Sequence, residues 1–274
     1  MNVILIDSSK TEVLIAILEN GKLIEIICDC ADNIVGNTYI GCVQSTEKTF
    51  AFVDIGFCKN GFLQDIKNIK NGDFVKVKVK KNSTNKKGPV LDFIEKSEIK
   101  EKCLVTRVDY IQRISSIFNG NIDKIIINNK TDIDKIKLAF NFINKEIIEF
   151  LDGDIFSEYE IKHKIPTSNK AWLKSGGYII LEKTEACTVI DVNTGKSNKL
   201  QHTVNIEAAK EIAYQIRLRN ISGIIIIDFI NSKNKEETKE LLDILKEYTK
   251  KDRLPVQVFG ITKLGMVEMT RQRI

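Results

Sequence analysis

Two aliphatic runs in the last third of the chain each end in an aspartate. Residues 186–190 read Ala-Cys-Thr-Val-Ile and lead into Asp191, and four consecutive isoleucines at 224–227 lead into Asp228. Continuous runs of this kind, rich in β-branched residues, predict strands that are buried on both faces. Ligands of open α/β sheets bind at strand ends, so the two aspartates predict one shared, oxygen-rich site.

The side chains at these strand ends are candidate metal ligands. Asp191 and Asn193 are two residues apart, so they face the same side of an extended segment. Mg²⁺ is usually held by one or two carboxylates and keeps several waters. The pattern therefore predicts a magnesium site formed by Asp191 and Asp228, with Asn193 as a neutral partner. The alternative is that each aspartate only caps the turn that leaves its strand.

The first third of the chain has shorter apolar runs that are broken by glycines. The runs at 41–43, 51–56 and 61–63 predict the strands of a small β-barrel. Phe52 and Phe62 belong to these runs, and they have two interpretations. They fill the barrel core, or they stack on the bases of a single-stranded nucleic acid, as exposed aromatics do in barrels of the OB-fold type.

Valine and lysine alternate from Phe74 to Lys81. This alternation predicts a strand with one apolar face and one cationic face. A cationic face beside exposed aromatics favours a polyanionic partner. The alternative is an edge strand whose lysines prevent pairing with other chains.

The remaining elements are predicted from turn signals and periodicity. Asn20-Gly21 between two apolar runs indicates a β-hairpin, and Ile125-Ile126-Ile127 indicates a further strand. A helix is predicted to begin at Thr131 and to bury the apolar positions 133, 136, 140, 143 and 147. The chain is thus a mixed α/β protein, long enough for about two domains.

Composition narrows the functional classes. The 274 residues are 43% hydrophobic and 29% charged with a net charge of +5, which is ordinary for a globular protein and compatible with a polyanionic partner. Apolar runs are too short for a membrane span, and the first residues lack the basic start of a signal peptide. The six cysteines form no CxxC pair, so a zinc site is not expected. We expect a cytoplasmic protein.

The last third of the chain closely resembles the catalytic segment of the ribonuclease E/G family. The resemblance rests on Asp-Val-Asn-Thr-Gly at 191–195, the helix-like stretch 205–219, Ile-Asp-Phe at 227–229 and the closing stretch 264–273. It implies that Asp191 and Asp228 hold a catalytic magnesium ion and that Asn193 orients the site. It also implies that the protein is an endoribonuclease.

The same resemblance implies the domain organisation and the RNA-binding residues. An OB-fold RNA-binding domain at 37–95 would be inserted into a ribonuclease H-like subdomain, formed by 1–36 and 96–165. A DNase I-like catalytic subdomain would follow at 166–274. In the barrel, the family's stacking phenylalanines match Phe52 and Phe62, and its RNA-contacting lysine matches Lys87 before Gly88.

Two stretches depart from the family pattern. After residues 88–91 the family continues into a sensor domain for the 5′ monophosphate of RNA, whereas here a short charged segment leads directly to the stretch 113–128. We therefore expect the sensor to be missing. The family's zinc link and small dimerisation domain would follow residue 274, so no zinc-linked dimer is expected.

These observations lead to one expectation and two alternatives. We expect a magnesium-dependent endoribonuclease that cleaves single-stranded RNA through a metal-activated water, in RNA processing and decay. The first alternative is a non-catalytic, ribosome-associated RNA-binding protein. The second is a phosphodiesterase that acts on DNA or small phosphoesters, because fold alone does not fix the substrate.

Overall fold

The structure is a computed structural model and describes residues 1–8, 12–30, 33–83, 87–117, 121–140, 145–232 and 234–272. The strands are β1 Asn2–Ser8, β2 Glu12–Glu19, β3 Lys22–Cys30, β4 Thr38–Thr46, β5 Phe50–Asp54, β6 Gly61–Gln64, β7 Phe74–Lys81, β8 Val90–Lys96, β9 Cys103–Thr106, β10 Lys124–Ile127, β11 Ile148–Phe150, β12 Lys170–Trp172, β13 Tyr178–Lys183, β14 Cys187–Asn193, β15 Gly223–Asp228, β16 Val256–Ile261 and β17 Val267–Arg271. The helices are α1 Tyr110–Ile117, α2 Ile133–Ala139, α3 Ile155–Glu158, α4 Ile161–Lys164, α5 Gln201–Leu218 and α6 Lys235–Thr249, with 3₁₀ turns at Lys130–Asp132 and Lys145–Ile147.

The chain divides into two compact units. One unit consists of Met1–Cys28 with Ile117–Arg273, and the other of Asp29–Ser116. The first unit contains two sheets and the second contains a barrel. The barrel segment therefore lies, along the chain, between two parts of the first unit.

The first sheet has the strand order β11-β10-β1-β2-β3. Strand β1 is central and pairs in parallel with β10, so that Val3 lies opposite Lys124. The predicted hairpin between β2 and β3 is confirmed, because Asn20 and Gly21 both have positive φ, 51° and 77°. The predicted strand at Ile125-Ile126-Ile127 is also confirmed as part of β10.

The helix predicted from Thr131 to residue 147 is shorter than expected. It begins as a 3₁₀ turn and α2 ends at Ala139, because Phe140 leaves the helical conformation with ψ 64°. Ile136 and Phe140 are buried as predicted, and Ile143 lies outside the described residues. Ile147 belongs to a separate turn that leads into β11, and β11 pairs with β10. The position of Ile147 therefore follows from the start of β11 and not from the helical periodicity.

The second sheet has the order β12-β13-β14-β15-β17-β16, in which β14 and β15 are parallel and their other pairings antiparallel. One face is buried in a core that α5 and α6 share. The prediction that the aliphatic strands are buried on both faces is wrong. Ile225 and Ile227 are fully buried, but Ile224 is 50% exposed. The helices cover one face, so alternate residues of each run remain open to solvent.

Buried charges tie β3 of the first sheet to α5 and to the connection that follows α6. Glu25 has no exposed surface, and its carboxylate accepts a hydrogen bond from Arg217 Nε at 3.1 Å and another from Arg253 Nε. The Tyr214 hydroxyl donates to Leu23 O over 2.8 Å. Breaking such a buried cluster by removing one partner leaves a charge without compensation, so β3 and α5 are firmly linked.

The predicted barrel is confirmed as five strands that close on themselves. Their order is β5-β6-β8-β7-β4, and β4 pairs again with β5. Alternate residues fill the interior, among them Val53, Leu63, Val75 and Val77, each with 0% exposure. Strand β9 adds to β4 outside this closed set. The lysine-rich strand β7 lies between β8 and β4, so the edge-strand interpretation of its lysines is wrong.

Candidate functional site

Asp191 and Asp228 are direct neighbours at the ends of the parallel strands β14 and β15. The register pairs Ile190 with Ile227 and Asp191 with Asp228. The two isoleucines have 0% exposure, whereas both aspartates are exposed. Neighbouring strands are about 4.8 Å apart, so the backbone pairing holds two carboxylates side by side on one face of the sheet.

Asn193 is hydrogen-bonded to one of these carboxylates, that of Asp191. Its Nδ2 donates a hydrogen bond of 2.6 Å to Oδ2 of Asp191. Both residues belong to β14 and are two positions apart, so the strand pleat turns them to the same face. We call this face of the second sheet, defined by Asp191, Asn193 and Asp228, the carboxylate face. The structure thus brings together all three side chains that the sequence predicted for the catalytic site.

The chain just after Asp228 is held by a buried amide of α5. Asn205 is 2% exposed, its Nδ2 donates to Ile230 O at 2.7 Å, and its Oδ1 accepts from Ile230 N at 3.0 Å. Phe229, between Asp228 and Ile230, is buried in the core. The end of β15 is therefore fixed by two hydrogen bonds and one buried ring.

A tight turn after β14 holds the carboxylate of Asp191 in place. Gly195 follows β14 with φ +55°, and a Cβ there would lie 2.6 Å from Gly176 O and 3.2 Å from the ring of Tyr178. A side chain at residue 195 would therefore collide with backbone as well as with an aromatic ring. The glycine allows the turn after Asp191 and Asn193 to pack closely against Tyr178.

The donor set fits a magnesium ion. Among the described residues, neither Asp191 nor Asp228 is in an ion pair, and adjacent carboxylates without a cation repel each other. Across the same residues, no group of three or more His, Cys, Asp and Glu side chains is arranged to hold a metal. Mg²⁺ needs fewer protein ligands than that, because it is bound by one or two carboxylates and retains waters.

In the barrel unit, Phe52 and Phe62 lie on the outer surface and not in the core. Phe52 is 39% exposed and Phe62 is half-buried, while Ala51 and Leu63 beside them fill the interior. Their ring centroids are 5.8 Å apart. The interpretation of these rings as barrel core is therefore wrong.

Phe50 completes this surface, and the sequence reasoning missed it. Its ring centroid lies 5.7 Å from that of Phe52 and 5.3 Å from that of Phe62. The three rings, Phe50, Phe52 and Phe62, form the phenylalanine cluster. The spacing of Phe50 and Phe52 by two residues was the available signal, because it places both rings on one face of a strand.

Lys87 is exposed and lies in the connection that precedes β8. The next residue, Gly88, approaches Asn60 so closely that a Cβ would lie 1.9 Å from Asn60 O. Phe62 N donates to Pro89 O at 2.7 Å. These backbone contacts at Asn60 and Phe62 thus hold the Lys87 segment beside β6.

The lysines of β7 form the predicted cationic face, but acidic residues of β8 accompany them. Lys76 Nζ lies 3.0 Å from a Glu95 carboxylate oxygen, and Lys80 Nζ lies 3.3 Å from one of Asp92. These pairs are solvent-exposed, so each contributes little to stability. They reduce the net positive charge that this face offers to a polyanion.

Comparison with known proteins places the chain in a family. The sequence model of the Ribonuclease E/G family matches residues 75–274. This is most of the chain, and the chain belongs to the Ribonuclease E/G family. The family membership inferred from the motifs at 191–195 and 227–229 is confirmed.

Individual relatives agree with this assignment. Ribonuclease G of Haemophilus influenzae is 41% identical over 176 residues, which cover 59% of this chain and 36% of that protein. Ribonuclease G of Escherichia coli K12 is 44% identical over 127 residues, covering 43% and 26%. Ribonuclease E of Buchnera aphidicola is 33% identical over 212 residues, covering 72% and 21%. The chain thus spans about a third or less of the length of these relatives.

No helix in the described ranges is long and apolar enough to cross a lipid bilayer.

Proposed function

We propose that this protein is a magnesium-dependent endoribonuclease that cleaves single-stranded RNA in RNA processing and decay. The observation that carries the proposal is the strand register that sets Asp191 beside Asp228, with Asn193 bonded to Asp191. The relatives named ribonuclease G and ribonuclease E support the reaction class. A cytoplasmic location follows from this role and is part of the proposal.

Asp191 and Asp228 would hold the Mg²⁺ ion. A bound Mg²⁺ ion would neutralise charge on the phosphoryl oxygens and position a water for in-line attack. Asn193 fixes the orientation of the Asp191 carboxylate through its Nδ2 and turns its own amide oxygen away from that carboxylate. Attack of water on phosphorus would break the bond to the 3′ oxygen, which would leave as a hydroxyl by taking a proton from solvent, and the new phosphate would remain at the 5′ end.

The phenylalanine cluster and Lys87 would bind the RNA. Exposed rings stack on bases of any sequence, and each base stacked contributes about 1–3 kcal/mol. Lys87 is exposed and would pair with a phosphate. In this proposal Phe52 and Phe62 contribute to the affinity for RNA, and the carboxylate face carries out the cleavage.

The family supports a finer description of the architecture. We propose that the closed barrel is an OB-fold domain at 37–95. A ribonuclease H-like subdomain would be formed by the two segments that flank it along the chain, 1–36 and 96–165. Residues 166–274 would be the DNase I-like catalytic subdomain. The strand order β11-β10-β1-β2-β3 supports the split subdomain, because it unites strands from before and after the barrel.

The proposal is tested by cleavage assays on three substrates: single-stranded RNA, matched DNA and a small phosphodiester, each with Mg²⁺ or with a chelator. We expect cleavage of RNA with Mg²⁺ alone. Asp228→Asn should lower the rate at least about 10²-fold, the scale on which loss of one group that stabilises developing charge acts. Asp243→Asn is the matched control, since Asp243 is an exposed aspartate on α6.

Each other result has a defined meaning. Cleavage by the Asp228→Asn protein at nearly the wild-type rate would refute the metal-site assignment. Tight RNA binding by the wild-type protein without cleavage would favour the alternative, a non-catalytic RNA-binding protein. Preferential cleavage of DNA or of the small diester would replace the RNA assignment.

A further inference from the structure

The carboxylate face extends across the second sheet to its edge strand. Lys170 on β12 lies opposite Ile180 on β13, which lies opposite Asp191, and Asp191 lies opposite Asp228. Residues directly opposite each other on neighbouring strands project to the same side of a sheet. Lys170 therefore belongs to the same face as the two carboxylates, at the end of one cross-strand row.

The adjacent row of the same face is aromatic. Trp172 lies opposite Tyr178, and Tyr178 lies opposite Asn193. The row thus runs from the sheet edge to the residue that bonds Asp191. Strands are about 4.8 Å apart, so two strand spacings place the Trp172 backbone roughly 10 Å from that of Asn193.

The side chains at the sheet edge touch one another. The ring centroids of Trp172 and Tyr178 are 5.3 Å apart with an interplanar angle of 64°. Lys170 Nζ lies 3.9 Å from the centroid of Trp172 and 3.5 Å from that of Tyr178. We call these three residues, Lys170, Trp172 and Tyr178, the aromatic ledge.

Tyr178 connects the ledge to the turn at Gly195. Its Cδ1 and Cε1 atoms would lie 3.2 and 3.3 Å from a Cβ on Gly195. The tyrosine ring therefore packs on the turn that follows Asp191 and Asn193. No gap in the sheet separates the ledge from the carboxylate face.

Trp172 is 66% exposed. An indole contributes a large apolar area, so leaving it open to water forgoes much of the stabilisation that its burial would provide. The exposed ring next to an ammonium group has the two elements of single-strand recognition, a π-face for a base and a cation for a phosphate. The exposed Lys174 two residues further adds positive charge.

We propose that the aromatic ledge binds a base of the RNA strand near the scissile phosphate, with Trp172 stacking on the base and Lys170 pairing with a backbone phosphate. The inference rests on the proposed function and adds a positioning site to it. Because the ledge lies about 10 Å from Asn193 along the sheet, the bound base is a few nucleotides from the cleaved bond. Bases with larger π-faces are favoured at that position.

Trp172 is the one tryptophan of the chain, so its fluorescence reports this ring alone. The test uses the Asp228→Asn protein of 274 residues with a chelator and an uncleaved ten-nucleotide single-stranded RNA. We expect saturable quenching of Trp172 emission on titration. A set of RNAs with one abasic site each should contain one position at which quenching is lost.

Substitutions separate stacking from structure. Trp172→Ala should raise the Kd for the RNA at least about fivefold, the lower end of what one stacked base contributes, and Trp172→Phe should stay within about twofold of wild type. Phe150→Ala is the matched control, since Phe150 also has a lysine at its ring, 4.5 Å from Lys130 Nζ, but lies in the first sheet. Its Kd should change less than about twofold.

Binding without quenching, or a quench that no abasic site removes, would overturn the ledge assignment and leave the proposed nuclease function intact. Emission that changes with protein concentration and not with RNA would assign the ledge to contact between copies of the chain, and would also overturn the proposal. Conversely, quenching by RNA in a wild-type protein that never cleaves RNA would support the ledge and refute the nuclease.

Discussion

The carboxylate face and the phenylalanine cluster are both built on the solvent side of a sheet, but they are held in different ways. Asp191 and Asp228 form the last pair between two interior parallel strands, and backbone register, Asn205 and the Gly195 turn fix their positions. Strand register also places Phe52 opposite Phe62, but beyond it the rings of the cluster contact one another, at centroid separations of 5.3 to 5.8 Å.

This difference corresponds to different demands on geometry. Metal-assisted chemistry requires ligands held within about half an ångström of the productive arrangement. Stacking tolerates small shifts and any base, because every base has a π-face. We therefore expect substitutions at the carboxylate face to affect the rate of cleavage, and substitutions in the cluster to affect affinity.

The largest effect is expected from Asp191→Asn, which should lower the cleavage rate at least about 10²-fold and change RNA affinity only a few-fold. If Asp191 and Asp228 serve one ion, the double variant Asp191→Asn/Asp228→Asn should be less than about threefold slower than either single variant, because residues that act as a unit are not additive. Single-turnover cleavage and equilibrium binding measure the two quantities. If the rate losses of the two single variants multiply in the double variant, Asp191 and Asp228 have separate roles and do not share one ion.

A smaller effect is expected in the barrel. Phe52→Ala or Phe62→Ala should each weaken binding of single-stranded RNA by ~1–3 kcal/mol, with little change in Tm and with cleavage at saturating RNA retained. Phe57→Ala is the control, since Phe57 is 45% exposed and contacts Tyr39 outside the cluster. A large fall in Tm with unchanged affinity would mean that these rings stabilise the barrel instead.

The turn at Gly195 allows the rigidity of the carboxylate face to be tested through the free energy of unfolding. Gly195→Ala should reduce the free energy of unfolding by about 2–3 kcal/mol and slow cleavage, because its Cβ would collide with Gly176 O. Gly21→Ala should cost about 1 kcal/mol and leave cleavage unchanged, since Gly21 also has positive φ but meets no atom within 4 Å. Equal effects in chemical denaturation would show that the close contact is unimportant.

The smallest effect concerns the RNA 5′ end. Between Lys96 and Tyr110 the structure contains one short strand, β9, where the family's sensor for a 5′ monophosphate is expected. RNAs with a 5′ monophosphate or a 5′ hydroxyl should therefore differ less than about threefold in kcat/KM, under ~1 kcal/mol of discrimination. A tenfold preference would direct attention to Lys100, Lys102 and Arg107 in this segment.

The sequence predicted the features of the two surfaces that depend on local pattern. The aliphatic runs before Asp191 and Asp228 are strands, β15 ends at Asp228 and β14 continues two residues past Asp191 to Asn193. The Val-Lys alternation of β7 gives one buried and one cationic face. The half-open face of β15 was not predicted, since it depends on which layers cover the sheet. Ile224 is the residue that shows this, because it belongs to an unbroken apolar run and is exposed.

Features that depend on pairing partners far apart in sequence were also missed. Asn205 resembles any polar residue of a helix, and its role requires knowing that Ile230 lies beside it. Trp172 becomes part of the carboxylate face only through the pairing of β12 with β13. Ile147 fits a helical period but lies in the turn before β11.

The position of the barrel along the chain has a consequence for biosynthesis. Strand β1 is central in its sheet, yet its parallel partner β10 is made much later. About 90 residues separate Cys30 from Lys124, which at elongation rates of 5–20 residues per second is a delay of roughly 5 to 20 s. During this interval the edge of β1 that later pairs with β10 lacks its partner at residues 4–6, so it is open to pairing with other chains until β10 has been made.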